Sequence, residues 1–285
     1  MEQKYDGPNI GFHLDATHRG SDVKAMQEKT GATAVQWYSP GSKATPEDNA
    51  GVPVVYVHSN HMTAAIYRNV EKSNKAFRTQ LETAAKIGAI GVVLHLVNDA
   101  TDDGGAKIKQ LLKFASDFKR LKLKLILEPT SSTKNYHNVA RCLEVESYLK
   151  AAFTKKTLAW CFDSAHLHGG GHEMSGDGFL NTLECFRKSL HFPIQLLHLN
   201  GSLNALGSGK DSHTVNGEKK GSPMPKKLVA GTPLGLFTMN LDKLGKWADT
   251  NHADIIVEQR IFPLADATTT SVCKQIVSAI RRGIA

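Results

Sequence analysis

"LAWCFDSAHLHGGG", residues 158–171, starts as an unbroken apolar strand, then presents a carboxylate, an imidazole three positions on, and a run of glycines. A strand without polar alternation is one buried on both faces, as in parallel sheets covered by helices. The same pattern recurs in "NIGFHL" (9–14), "AVQWYS" (34–39), "VPVVYVHS" (52–59), "GVVLHLV" (91–97), "KLILEP" (124–129), "IQLLHLNG" (194–201) and "DIIVEQR" (254–260). Amphipathic stretches separate them. One, "NKAFRTQLETAAKIG", puts Phe77, Leu81, Ala84, Ala85 and Gly88 on one stripe,. Eight strands alternating with helices predict parallel βα units, and 285 residues suit closure into a single-domain (β/α)8 TIM barrel over residues 1–285,. A doubly wound open sheet is the rival arrangement.

Active-site residues of such a barrel stand at the C-terminal ends of the strands. Those ends carry His58, His95, Glu128, Asp163 with His166, His198, and Glu258, and the loop after the seventh strand adds Asp211 and His213. A single histidine on an apolar strand is more often a packed rim residue than a ligand. Asp163 alone could be a helix N-cap. The joint pattern reverses that reading, because unrelated histidines would not fall at one end of successive strands. Four carboxylates converging on one pocket repel one another unless cations neutralise them. With no cysteine in the set, the donors are nitrogen and oxygen, which suits zinc, manganese or iron. Nine donors exceed one tetrahedral ion and suffice for two or three.

Composition narrows the setting. The net charge of +8 leans towards a polyanionic partner,. No apolar run is long enough for a membrane span, and "MEQKYDGPNIGFH" lacks a signal-peptide pattern, so an intracellular protein without membrane attachment is expected,. The cysteines Cys142, Cys161, Cys185 and Cys273 are widely spaced, as expected of reduced and mostly buried thiols,. The segment 207–235, rich in Gly, Lys, Pro and Ser, reads as a long loop,.

These residues, in this order, resemble the endonuclease IV family of apurinic/apyrimidinic (AP) endonucleases, zinc-dependent barrels of base-excision DNA repair. The D-x-x-H of "DSAH" and the D-x-H of "DSH" carry the most specific spacings. The resemblance implies one zinc on His58, His95 and Glu128, a second bridged by Glu128 and held by Asp163, His198 and Glu258, and a third on His166, Asp211 and His213. Manganese is an alternative at one position. It implies metal-assisted hydrolysis of the phosphodiester 5′ of an abasic site in double-stranded DNA, leaving a 3′-hydroxyl and a 5′-deoxyribose phosphate. Glu128 and Glu258 would orient the attacking water, and the protein would act as a monomer. The chain departs from the family at "HLV" for His-Pro-Gly, "EPT" for E-N-T, "HLNG" for H-L-N-D and "DSH" for D-R-H. The ligand positions persist while their neighbours have drifted, which marks a divergent member.

DNA contacts would come from loops on the same rim. By position in the family, His61 and Met62 would enter the duplex, Met62 as an apolar wedge. Lys43, Lys210, Lys219 and Lys220 are candidates for phosphate contact, with Lys226 and Lys227 further along the basic loop; Trp37 and Tyr38 read instead as barrel packing. The alternative enzyme class is a divalent-metal sugar isomerase or epimerase of the xylose-isomerase-like barrels, which has no need of the third donor set. A lesion-binding protein with a decayed site would have lost ligands first.

Overall fold

The computed structural model describes residues 7–15, 20–41, 43–49, 51–59, 66–96, 103, 105–131, 138–214, 235–258 and 267–284. Its strands are β1 (Ile10–Asp15), β2 (Ala34–Tyr38), β3 (Val54–His58), β4 (Gly91–His95), β5 (Lys124–Glu128), β6 (Leu158–Asp163), β7 (Ile194–Leu199), two short strands β8 (Gly201–Ser202) and β9 (His213–Thr214), and β10 (Asp254–Val257). β1 to β7 and β10 close into an eight-stranded barrel in which every pairing is parallel. The (β/α)8 reading therefore holds and the open sheet is excluded.

Helices α1 (Gly20–Thr30), α2 (Glu71–Lys86), α3 (Ala106–Lys109), α4 (Ala115–Leu121), α5 (Val139–Leu149), α6 (Ser164–Gly169), α7 (Gly178–Ser189), α8 (Leu241–Asn251) and α9 (Ala267–Arg282) run between or after the strands. A 3-10 segment, Gln110–Phe114, joins α3 to α4. Among the described residues the β2–β3 connection carries a single 3-10 turn, Pro46–Asn49. The expected stripe of α2 is buried through Phe77, Leu81 and Ala84. In the layer between strands and helices, Phe77 meets Phe114 edge-on at 5.0 Å and Phe162 meets Phe186 at 4.3 Å. Each such fully buried side chain stabilises the fold by about 1.5–3 kcal/mol over its exposed state.

Period two decides what enters the barrel. Ala34, Val54, Tyr56, Val93, Ile126, Ala159, Cys161, Leu196 and Ile256 fill its middle. Two residues further along most strands are Gln36, His58, His95, Glu128, Asp163, His198 and Glu258. Register sets these side by side: His13 opposite Gln36, His95 opposite Glu128, Asp163 opposite His198. Gly11 holds its place because a Cβ there would lie 2.1 Å from the Ala34 carbonyl oxygen,. The other end of the barrel is closed by a polar plug. Tyr56 Oη donates to Asp254 Oδ2 at 2.5 Å, and Lys124 Nζ donates to Gln195, the extra residue of a register shift between β6 and β7. Burial pushes the Tyr56 hydroxyl and the Asp254 carboxyl up, with Asp254 adding to the first.

The segment after 207 is only partly loop: β9 pairs antiparallel with β8, with Gly201 opposite Thr214 and Ser202 opposite His213. Cys142, Cys161 and Cys273 are buried, Cys185 is exposed, and all are free thiols. Among the described residues no helix is long and apolar enough to cross a membrane.

Candidate metal centre

Glu128, at the end of β5, is fully buried and occupies the centre of the barrel mouth. Its Oε2 lies 3.1 Å from His58 Nε2 and 3.1 Å from His95 Nε2. Its Oε1 lies 3.0 Å from His198 Nδ1 and 3.2 Å from His166 Nδ1. Each oxygen thus faces a different side of the cluster. Burial alone would raise the Glu128 carboxyl, but the facing histidines outweigh it and hold it well below the usual carboxylate range,.

The second carboxylate, Glu258, places Oε2 3.3 Å from His198 Nδ1 and 4.0 Å from His213 Nδ1. His198 and His13 likewise overcome the effect of burial on Glu258 and keep it ionised. Asp211 brings Oδ1 to 3.0 Å from His213 Nε2 and Oδ2 to 3.4 Å from His166 Nε2. Burial opposes the charge of His198 and His213, yet the surrounding carboxylates push both up to about 9.

The opening stretch resolves into a division of labour at Asp163. It ends β6 and caps α6: its Oδ1 accepts from the backbone N–H groups of Ala165 at 2.6 Å and His166 at 3.0 Å,. Its Oδ2 accepts from Asn200 Nδ2 at 2.5 Å and faces His213 Nε2 at 3.6 Å. The cap and the site use different oxygens of one carboxylate. The glycines that follow bring another loop in. A Cβ on Gly169 would lie 2.9 Å from Ser131 Cβ and 3.0 Å from the Lys210 carbonyl oxygen. Gly209 N–H donates to the Gly169 carbonyl at 2.9 Å and Gly207 N–H to that of His168 at 3.0 Å. His168 is buried and pairs through Nε2 with the Asn204 carbonyl at 3.1 Å. This strapping carries Asp211 and His213 to the cluster.

Donor atoms of these residues fall into sets compact enough for an ion: His58, His95 and Glu128; Glu128, Asp163, His198 and Glu258; His58, His198 and Glu258; and Asp163, His166 and His213, each set within 4.8 Å. Cys161 lies beneath, grouped with Glu128 and His198. Burial, with Glu128 and Glu258 nearby, pushes its thiol well up, which leaves the nitrogen and oxygen donors as the ligand field,. Ring tautomers fit metal ligation as well. His166 Nδ1 lies 2.9 Å from the Pro129 carbonyl and His58 Nδ1 2.9 Å from that of Ser59. A ring that donates Nδ1–H to a carbonyl presents Nε2 as a lone pair, the usual support for a metal-bound histidine. His166 Nε2 and His213 Nε2 are buried and make no hydrogen bond among the described residues.

All nine candidate ligands therefore meet at one mouth. Asp163 and His58 depart from the expected partition, since each belongs to two of the sets rather than one, and Asp211 joins His166 and His213 through its contacts with them rather than as a member of a compact set. Lys43 and Lys210 are exposed on the same rim's loops. His61, Met62, Lys219, Lys220, Lys226 and Lys227 lie outside the described residues. Trp37 is buried and donates Nε1–H to Asn49 Oδ1 at 2.8 Å, in keeping with a packing role. Two site residues were missed: His13 on β1 and Gln36 on β2, which touch Glu258 Oε1 at 2.9 and 2.5 Å. Their signal was the alternation Gly11/His13 and Ala34/Gln36, inward positions by the same period of two.

No family model matches the chain. Among curated proteins it is 27% identical over 216 residues to a probable endonuclease 4 of Mycobacterium leprae, covering 72% of this chain and 81% of that one. Its fold is that of endonuclease IV from Thermus thermophilus, with a TM-score of 0.62 at 20% identity over 95% of this chain and 99% of that one. A xylose isomerase domain protein from Planctomyces limnophilus is equally similar in fold, with a TM-score of 0.64 at 12% identity over 98% and 99% of the two chains.

Proposed function

We propose, from a chain that is a divergent relative of the endonuclease IV family, that it is a metal-dependent DNA-repair endonuclease cleaving the phosphodiester 5′ of abasic sites. The products would be a 3′-hydroxyl and a 5′-deoxyribose phosphate. The observation that carries this reading is the shared position of Glu128, in contact with four histidines and common to two of the four nitrogen and oxygen donor sets.

His58, His95 and Glu128 would hold one ion; Glu128, Asp163, His198 and Glu258 a second; His166, Asp211 and His213, with Asp163 in reach, a third. The donor chemistry suits zinc, with manganese an alternative at the more open third position, where Asp211 is half exposed,. Bound divalent ions supply water ionisable near neutral pH and positive charge against the phosphate oxygens. Glu128 and Glu258 are ionised hydrogen-bond acceptors and would orient that water. Lys43, Lys210, Lys219 and Lys220 would meet the DNA backbone, and His61 and Met62 the gap left by the extruded nucleotide. Residues 1–285 would act as one monomeric domain inside the cell.

The isomerase alternative rests on likeness of fold, which many chemistries share. Two features favour the nuclease: the curated relatives are named endonuclease 4, and His166 and His213 lie with Asp163 in one compact donor set that Asp211 faces. Elemental analysis of the purified protein separates the readings. The nuclease predicts about three divalent ions per chain, whereas one or two with turnover of ketose sugars would support the isomerase.

A further inference from the structure

Gln36 is fully buried inside the barrel, although nothing in the chemistry of ligation requires an amide there. Both ends of that amide are engaged by candidate ligands. Its Nε2 donates to Glu258 Oε1 at 2.5 Å and its Oε1 lies 2.9 Å from His198 Nε2. The orientation follows from the partners. An ionised carboxylate only accepts, so the nitrogen end must face Glu258, which leaves the oxygen end for His198. An amide oxygen also only accepts, so His198 must carry its proton on Nε2. The remaining ring nitrogen, Nδ1, 3.0 Å from Glu128 Oε1 and 3.3 Å from Glu258 Oε2, is then the one that gives up its proton and offers a lone pair when an ion binds.

We propose that Gln36 is a positioning residue that selects Nδ1 of His198 as its metal-binding atom and turns Oε2 of Glu258 into the site. The inference rests on the metal-dependent reading above. It differs from the other histidines of the cluster: His58 and His166 direct Nδ1 at backbone carbonyls and offer Nε2, whereas His198 is held the other way round by a side chain. His13 completes the support, its Nδ1 2.9 Å from the same Glu258 oxygen that Gln36 engages and 2.8 Å from the Gln36 Nε2 that donates to it. β1 and β2, which supply none of the nine candidate ligands, thus supply the groups that orient two of them. Without Gln36, His198 is free to adopt either tautomer, and Glu258 loses a donor on its inward oxygen.

The test begins with wild-type protein loaded with zinc and labelled with 15N at its histidine rings. Ring nitrogen shifts should report His198 protonated at Nε2 and ligated through Nδ1; ligation through Nε2 would overturn the proposal without any variant. Gln36→Met, close in volume but unable to bridge, should then weaken affinity for one ion by about tenfold to a hundredfold in a chelator competition, while the others load normally. Above pH 9, where the metal-free ring is neutral, its His198 should show mixed tautomers. A variant that keeps wild-type affinity for every ion and, above pH 9, an unmixed Nε2–H tautomer would overturn the proposal. If the variant does not fold, the wild-type shifts still decide. A wild-type protein that takes up no divalent ion would overturn the metal reading and this inference together, whereas normal loading with an unaffected Gln36→Met overturns this inference alone.

Discussion

His198 Nδ1 and Glu128 Oε1 face each other at 3.0 Å in the mouth of the barrel, both residues fully buried. They come from β7 and β5, which flank β6 without pairing with each other, so the two side chains meet across the end of β6. A buried carboxylate with histidines on both oxygens is arranged to bridge cations.

Glu128→Gln should keep the barrel and lose nearly all incision. The amide matches the carboxylate in shape but removes the charge shared by two donor sets. The loss should be at least about a thousandfold, or about 4 kcal/mol of transition-state stabilisation. Circular dichroism would check the fold and initial rates the activity. Retention of activity within about tenfold of wild type would contradict the bridging role.

His166→Ala should cost about one ion per chain and spare the set around Glu128 and His58. Asp163→Ala should cost more, because Asp163 lies in two donor sets and also caps α6. Bound zinc counted in each variant, with anomalous scattering to place the ions, would decide this. Equal losses in the two variants would contradict the geometry.

Metal uptake should compete with protons. His198 and His213 have pKa values near 9 in the metal-free fold, against 6.5 ordinarily. A raised histidine contributes stability that is fully present below about 6.5 and is lost as pH rises through about 9. Metal binding needs these rings neutral, so affinity should climb with pH across that window and binding at pH 7.5 should release protons. Calorimetry in buffers of different ionisation enthalpy would measure the release. An affinity flat from pH 6.5 to 9 would show that these rings are not ligands.

Replacing Lys210, Lys219 and Lys220 with Ala should weaken DNA binding at low salt and flatten the dependence of log affinity on log salt. Each lost phosphate contact should reduce the slope by roughly 0.9. An unchanged slope would place these lysines away from the backbone.

Much of the barrel was legible because its strands are buried on both faces and so lack polar alternation until their ends. That absence made the ends conspicuous, and His58, His95, Glu128, Asp163 and His198 stood out there. Gln36 did not stand out, because an uncharged amide within "AVQWY" gives no signal of charge or ligation. His13 sits within a strand run rather than at its edge, and only the inward parity shared with Gly11 reveals it. The pairing of β8 with β9 was illegible for a different reason: two-residue strands have no periodicity. The glycines at 169–171 stood out only as a run after the strand end. What Gly169 admits in the fold is the Lys210 backbone, and with it the loop that delivers Asp211 and His213.

The central claim is tested most directly by incubating the zinc-loaded protein with a duplex carrying one abasic site and mapping the termini produced. The account predicts a single cut on the 5′ side, leaving a 3′-hydroxyl and a 5′-deoxyribose phosphate, abolished by chelation and restored by added zinc. An intact duplex under full metal loading, or cleavage indifferent to chelation, would contradict it.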